Sequence, residues 1–176
     1  MKGHTSSPDI RTARCVIGDR QVFLADLQSI GEEFDIRIIC FNADMISGRR
    51  HAESAVRFAR RSWDAGDAIA NTFEMEALLY AAGSRQCNVA FKFGIHEGEN
   101  HLFVCCEPGG ADGAWDALSD LIEYVDAGVF EIMDREKRER LADLFGITPL
   151  ELESVDSGTT ITDLVLERVA LLQVLR

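Results

Sequence analysis

Five arginines cluster within residues 48–61, a segment whose one acidic residue is Glu53. On a helix they share an arc of about 120°, opposite an apolar face. These residues are Arg49, Arg50, Arg57, Arg60 and Arg61. Like charges at this spacing repel one another unless an anion lies nearby, and guanidinium groups bind phosphate through several hydrogen bonds. The segment therefore indicates a phosphate-binding surface, a face paired with the chain's own acids, or a solvated helix face.

Residues 96–101, H-E-G-E-N-H, invite a zinc interpretation. Two histidines that bind zinc from one helix face are four residues apart, as in H-E-x-x-H, whereas His96 and His101 are five apart with Gly98 between them. Cys105 and Cys106 are adjacent on a predicted strand, so their side chains point to opposite faces. We predict no metal and no cofactor; a stand-alone metal-binding protein or small enzyme using His96, His101 or the cysteines is the alternative.

The common catalytic motifs are missing from the sequence. It contains no G-x-x-x-x-G-K-[ST] phosphate loop, no G-x-G-x-x-G fingerprint and no G-x-S-x-G nucleophile elbow. The acidic residues lie mostly on polar faces of predicted helices, where they need no catalytic role. We therefore expect a protein that is not an enzyme and has no catalytic residues.

Composition and charge narrow the class of protein further. The 176 residues are 47% hydrophobic and 27% charged, with no apolar run long enough to span a membrane and no secretory signal in residues 1–8. We expect one domain over residues 1–176 with residues 1–10 as a flexible tail, a cytoplasmic location and reduced cysteines. The net charge of −12 disfavours DNA, but residues 97–163 alone carry 17 acidic and 4 basic residues. The average thus hides the local basic segment.

These side chains must be positioned by an α+β fold. Strands are predicted over residues 12–17, 36–41 and 101–106, the second as a buried central strand. Helices are predicted over 19–30, 48–63, 71–82, 114–125, 135–145 and 160–175, with a short one after Pro149, and Asn71 with Glu74 forms a capping-box pattern. Residues 86–93 fit a strand or a helix. We expect a single mixed domain, a small sheet with several packed helices, helix-rich after residue 44.

The predicted C-terminal helix is apolar nearly all round. Ten of the 16 residues from 161 to 176 are apolar. Such a helix is either buried or covered on its outer face by a partner. We predict a protein partner on this helix, and a dimer seam is the alternative.

Two long segments resemble a known family. They are F-N-A-D-M-I-S-G-R-R-H-A-E-S-A-V-R-F-A (41–59) and N-T-F-E-M-E-A-L-L-Y-A-A-G-S-R-Q (71–86), and I-T-D-L-V-L-E-R-V-A-L-L (161–172) is similar too. All three resemble archaeal forms of the small kinase-binding subunit of the KEOPS complex, a family that includes the eukaryotic PRPK-binding protein. The resemblance covers most of residues 12–175, implies a mixed α/β fold and favours a helix for residues 86–93.

The resemblance implies a non-catalytic subunit. The complex makes the threonylcarbamoyl modification of adenosine 37 in tRNA, and the small subunit binds and supports the kinase-like ATPase subunit. Archaeal members also hold tRNA by its CCA tail. With the residue patterns above, this suggests tRNA contacts at Arg49, Arg50, His51, Arg57, Arg61, Asn71 and Arg85. It suggests partner contacts at Leu164, Val165, Arg168, Leu172 and Leu175.

Overall fold

The computed structural model describes residues 7–154 and 160–175, which form one α+β domain. A four-stranded sheet has the spatial order β2-β3-β1-β4, and every neighbouring pair is antiparallel. The strands are β1 (Asp9–Ile17), β2 (Arg37–Asn42), β3 (Gly98–Glu107) and β4 (Glu123–Tyr124). The predicted fold class is confirmed.

Eight α-helices surround this sheet in the described residues. They are α1 (Arg20–Phe34), α2 (Arg49–Ala65), α3 (Phe73–Ala82), α4 (Cys87–Ala90), α5 (Asp112–Leu118), α6 (Arg135–Phe145), α7 (Pro149–Ser154) and α8 (Ile161–Val174). Short 3-10 turns follow at Phe91–Phe93 and Val129–Glu131. The helical prediction for residues 86–93 is therefore confirmed.

The sheet separates two hydrophobic cores because side chains alternate along each strand. On β2, Ile39 and Phe41 join the core beneath α2, α3 and α8, whereas Ile38 and Cys40 join the smaller core beneath α1 and α5. The adjacent cysteines of β3 likewise divide between the two cores, as their positions predict. The larger core carries α2 and so positions its arginines.

Local capping sets several helix ends where the sequence predicts them. The Asp19 carboxylate accepts from two backbone N–H groups of α1, and Asp134 caps α6 by accepting from the Lys137 N–H. Thr160 and Asp163 form a reciprocal capping box at the start of α8. Helix α3 differs from its prediction, because Thr72 rather than Asn71 is its N-cap and accepts from the Met75 N–H.

Three other predictions are wrong in part. Strand β2 lies at an edge of the sheet rather than its centre; it is apolar because both of its faces are covered by cores. The helix predicted over 114–125 ends at Leu118, and Glu123–Tyr124 pairs with β1 instead. The predicted tail of residues 1–10 is too long, because β1 begins at Asp9 and Ile10 is buried. The tail's first six residues lie outside the described part.

Candidate functional site: the arginine face of α2 and the end of α8

The arginine face of α2, defined by Arg49, Arg50, Arg57, Arg60 and Arg61, divides into arginines held by the protein and arginines left at the surface. Helix α2 begins after Gly48 and ends at Gly66, whose left-handed backbone lets its N–H cap the last turn. Its buried alanines and Val56 belong to the larger core, where α2 packs on α3 and α8, so the arginines point outward. Their partners, however, differ from one residue to the next.

Arg49 and Arg60, here called the inner arginines, bind groups of the chain itself. Arg49 pairs with Glu53 at 3.0 Å and donates from Nη1 to the Ile10 carbonyl at 2.8 Å. Arg60 pairs with Glu107, whose side chain is only 7% exposed. Both therefore tie α2 to the β1–β3 side of the sheet. Arg49 would have to give up these partners to contact tRNA, and its assignment as a tRNA contact stays a prediction.

Arg57 and Arg61, here called the outer arginines, lie one turn apart and are exposed. Their guanidinium carbons lie 5.8 and 5.6 Å from the centre of the Phe58 ring, within cation–π range. Phe58 in turn stacks on Tyr80 at 5.6 Å. Neither outer arginine has a carboxylate partner in residues 7–154 or 160–175; Arg57 donates to the Ser54 hydroxyl at 3.4 Å. Together they present cationic N–H groups beside a fixed aromatic ring.

Arg50 occupies an intermediate position. Its side chain is 65% exposed and reaches Asp163 at 3.2 Å, at the start of α8. Hydrogen bonds from Thr160, with a smaller contribution from Arg50, hold the pKa of Asp163 below its usual range. The pair is exposed and is therefore weak, so Arg50 can exchange this partner for another anion at small cost.

His51 does not belong to a surface site, and its prediction as a tRNA contact is corrected. Its side chain is fully buried, accepting from the Ser47 N–H at 3.1 Å and donating from Nε2 to the Ala81 carbonyl at 2.8 Å. Burial lowers the pKa of His51 to about 4, although the bond to Ala81 opposes this. The neutral ring therefore joins the start of α2 to the end of α3.

Asn71 and Arg85, the remaining predicted tRNA contacts, lie outside α2. Asn71 is exposed just before α3. Arg85 donates to the Leu175 carbonyl at the end of α8. Asp163, which binds Arg50, is twelve positions earlier on that helix, or about 18 Å along its axis. Arg85 thus borders the far end of α8, and its contact with tRNA stays a prediction.

The partner contacts predicted on α8 fall mainly in the core. Leu164, Val165 and Leu172 are buried against α2, α3 and α6, which corrects their assignment as partner contacts. Arg168 pairs with Glu151 of α7 and is largely covered. Only Leu175 of the five predicted residues is strongly exposed, at 70%.

The exposed apolar residues of α8 gather at its C-terminal end. Leu171, Val174 and Leu175 are 47%, 76% and 70% exposed, and we call them the α8 tip. Neither Leu171 nor Val174 was predicted as a contact. The pattern of ten apolar residues could not separate them from their buried neighbours, because only packing shows which side faces the core.

The structure does not assemble the alternative metal site. Across residues 7–154 and 160–175, no three His, Cys, Asp or Glu residues are grouped so as to hold a metal ion. His101 lies between Asp44 and Glu99, and His96 bonds its own loop at the Glu97 carbonyl. Burial also raises the pKa of the Cys105 thiol and raises that of Cys106 to about 12, which opposes thiolate formation.

Two aromatic residues beside the arginine face were not identified by sequence reasoning. The Phe58 ring contacts both outer arginines. Trp63 was predicted only as a residue of the apolar face, and the centre of its ring lies 5.6 Å from the Arg37 guanidinium. Arg37 also lies 4.5 Å from the centre of Phe73. Phe58 could have been found from the sequence, because it lies next to an arginine on the helix wheel. The contact of Arg37 with Trp63 and Phe73 could not, because Arg37 comes from β2.

An α+β domain with an arginine–aromatic face and an exposed apolar helix end has the surfaces of a binding protein. The chain belongs to the family of the kinase binding protein CGI-121, whose family model matches residues 17–173. The resemblance found in the middle segments is thereby confirmed at the level of the family. A search of curated proteins gives no match. Within the described residues, no helix is long and apolar enough to cross a membrane.

Proposed function

We propose that this chain is the non-catalytic subunit of a KEOPS complex that binds the kinase-like ATPase subunit and holds tRNA by its CCA tail. The family match, which is to a kinase binding protein, carries the first part of this proposal. The outer arginines beside Phe58 support the second part. The chain would then supply binding surfaces for threonylcarbamoylation of adenosine 37, while other subunits supply the chemistry.

The α8 tip is the surface we assign to the kinase-like subunit. Three neighbouring apolar side chains at the end of one helix expose area that a partner can remove from water, at roughly 25 cal/mol per Å². Arg85 already bonds the last carbonyl of this helix, so the tip is fixed to the loop after α3. A fixed apolar surface loses little entropy on binding.

The outer arginines and Phe58 suit a single-stranded RNA end. An unpaired CCA tail exposes both phosphates and base faces, and proteins bind such ends by combining arginine–phosphate contacts with stacking on aromatic or guanidinium planes. Because Arg57 and Arg61 lie over the Phe58 ring, their positions are set before RNA arrives. The acidic remainder of the chain repels phosphate, which favours contact at this face.

Calorimetry with the purified kinase-like subunit tests the first part. We expect the double substitution Val174→Asp with Leu175→Asp to weaken binding by about tenfold or more, because charge would be buried at an apolar contact. Val16→Asp with Val22→Asp is the matched control, since both valines are exposed, at 79% and 58%, and belong to β1 and α1 rather than to α8. Equal losses in both variants, or none in either, would contradict the assignment of the α8 tip.

Light scattering on the isolated chain addresses the dimer-seam alternative. We expect a monomer. A dimer that the α8 tip variant separates into monomers would instead assign the tip to self-association.

A further inference from the structure

We propose that the free edge of β2 is a docking groove for an extended peptide segment of a partner protein, apolar at its centre and flanked by lysine or arginine. The sheet order leaves one side of β2 without a neighbouring strand. None of the residues that line this groove belongs to the arginine face or to the α8 tip. The proposal therefore does not rest on the proposed function.

The phase of the β2–β3 ladder shows which backbone groups point outward. Ala43 donates its N–H to the His101 carbonyl at 2.8 Å, and the register pairs Phe41 with Phe103 and Ile39 with Cys105. Antiparallel residues alternate between pairs that exchange hydrogen bonds and pairs that do not. The odd-numbered residues of β2 therefore bond to β3. Ile38 and Cys40 direct their N–H and C=O groups away from the sheet.

These four outward groups have no hydrogen-bond partner within the part of the chain that the structure describes. Proteins usually protect such an edge with proline, lysine, a bulge or a covering segment. Strand β2 reads R-I-I-C-F-N and contains neither proline nor lysine, and its one charged residue, Arg37, lies 4.5 Å from the centre of the Phe73 ring. The edge is thus chemically open to another strand.

A groove of about 540 Å³ lies along this edge, between α1 and α3. This volume falls within the range of about 300–1,000 Å³ typical of ligand-binding clefts. Leu24 and Leu27 line it from α1, and Leu78 lines it from α3. A strand added to β2 would place alternate side chains against these two apolar walls.

Charge defines the kind of segment that fits. Glu32, Asp35 and Glu74 line the groove, and its lining residues include no lysine or arginine. A segment with basic residues at its ends would pair with these carboxylates. A second copy of this chain is disfavoured, because it would bring the same acidic residues and a net charge of −12.

The test is an NMR titration of the isotope-labelled full chain with the peptide acetyl-Lys-Val-Val-Val-Arg-amide. We expect shift changes confined to α1, β2 and α3, and amide exchange at Ile38 and Cys40 slowed about tenfold or more at saturation. The same peptide with all five backbone nitrogens methylated keeps the charge but cannot donate from either edge to a ladder, so it should not bind.

Protein variants locate the binding. Leu24→Arg places a cation in the groove and should abolish binding. Val22→Arg is the control, because Val22 lies on the same helix but outside the groove, and it should leave binding unchanged. Leu24 and Val22 are both exposed, at 46% and 58%. No shift change at Ile38 and Cys40 at millimolar peptide would overturn the proposal. Equal binding by the methylated peptide, or by the Leu24→Arg variant, would do the same.

Discussion

The inner and outer arginines of α2 have the same chemistry and share one face of the helix but have different surroundings. Arg60 reaches the nearly buried Glu107, and Arg49 reaches Glu53 and the Ile10 carbonyl. Arg57 and Arg61 lie over Phe58 with no carboxylate partner in the described residues. The comparison teaches that the arginine face can bind groups of the chain itself at two positions and remain available to another molecule at two others.

Removing an inner arginine should produce the largest change in stability. Arg60→Met would leave the Glu107 carboxylate buried without its cation, and we expect a loss of about 3 kcal/mol in the free energy of unfolding. Arg57→Met, on the exposed side, should change it by less than about 0.5 kcal/mol. Urea denaturation measures both, and similar losses would remove the distinction between inner and outer arginines.

His51 extends the inner set and predicts a pH dependence. Because burial lowers its pKa from 6.5 to about 4, the folded state binds fewer protons than the unfolded state between these values. Stability from the neutral ring is complete above pH 6.5 and falls as the pH drops toward 4. The stability advantage of the wild type over His51→Gln should shrink by about 3 kcal/mol between pH 7 and pH 4. If the stability advantage of the wild type stays constant with pH, the pKa of His51 is the same in the folded and unfolded states, which would contradict this prediction.

Arg50 should show an effect on stability that lies between those of the inner and outer arginines. Its exposed pair with Asp163 predicts that Arg50→Ala costs less than about 1 kcal/mol in the free energy of unfolding. High salt should reduce this cost further. A loss as large as that of Arg60→Met would place Arg50 among the inner arginines.

Much of the fold is predictable because its determinants are local. Asp19, Asp134 and Thr160 begin helices at the predicted positions, since capping depends on residues three apart. Strand β4 was missed because it has two residues and exists only through pairing with Ala13 and Arg14. The edge position of β2 could not be predicted either. An apolar sequence indicates that both faces of a strand are covered, but it does not indicate which strands lie beside it.

The sequence predicted that the arginines of α2 share one face, but it did not predict which groups each arginine contacts. The helical spacing of the arginines placed them together, yet Glu107 and the Ile10 carbonyl come from distant strands and decide which arginines remain available. His51 was predicted as a tRNA contact, but its ring is buried and bonds the Ala81 carbonyl at the end of α3, which the sequence does not show. On α8, composition indicated an apolar helix, and packing against the core left only its tip exposed.

The central claim, that the outer arginines hold the CCA tail, is tested most directly by titrating intact and CCA-trimmed tRNA against the purified chain at low and moderate salt. Arg57→Glu with Arg61→Glu should lower affinity for intact tRNA about tenfold or more and reduce the salt slope by about 1.4, with unchanged stability. The control, Arg20→Glu with Arg135→Glu, changes net charge equally at exposed residues of α1 and α6. We expect tail-dependent binding that survives in the control; equal affinity of the wild type and the outer-arginine variant would contradict the account.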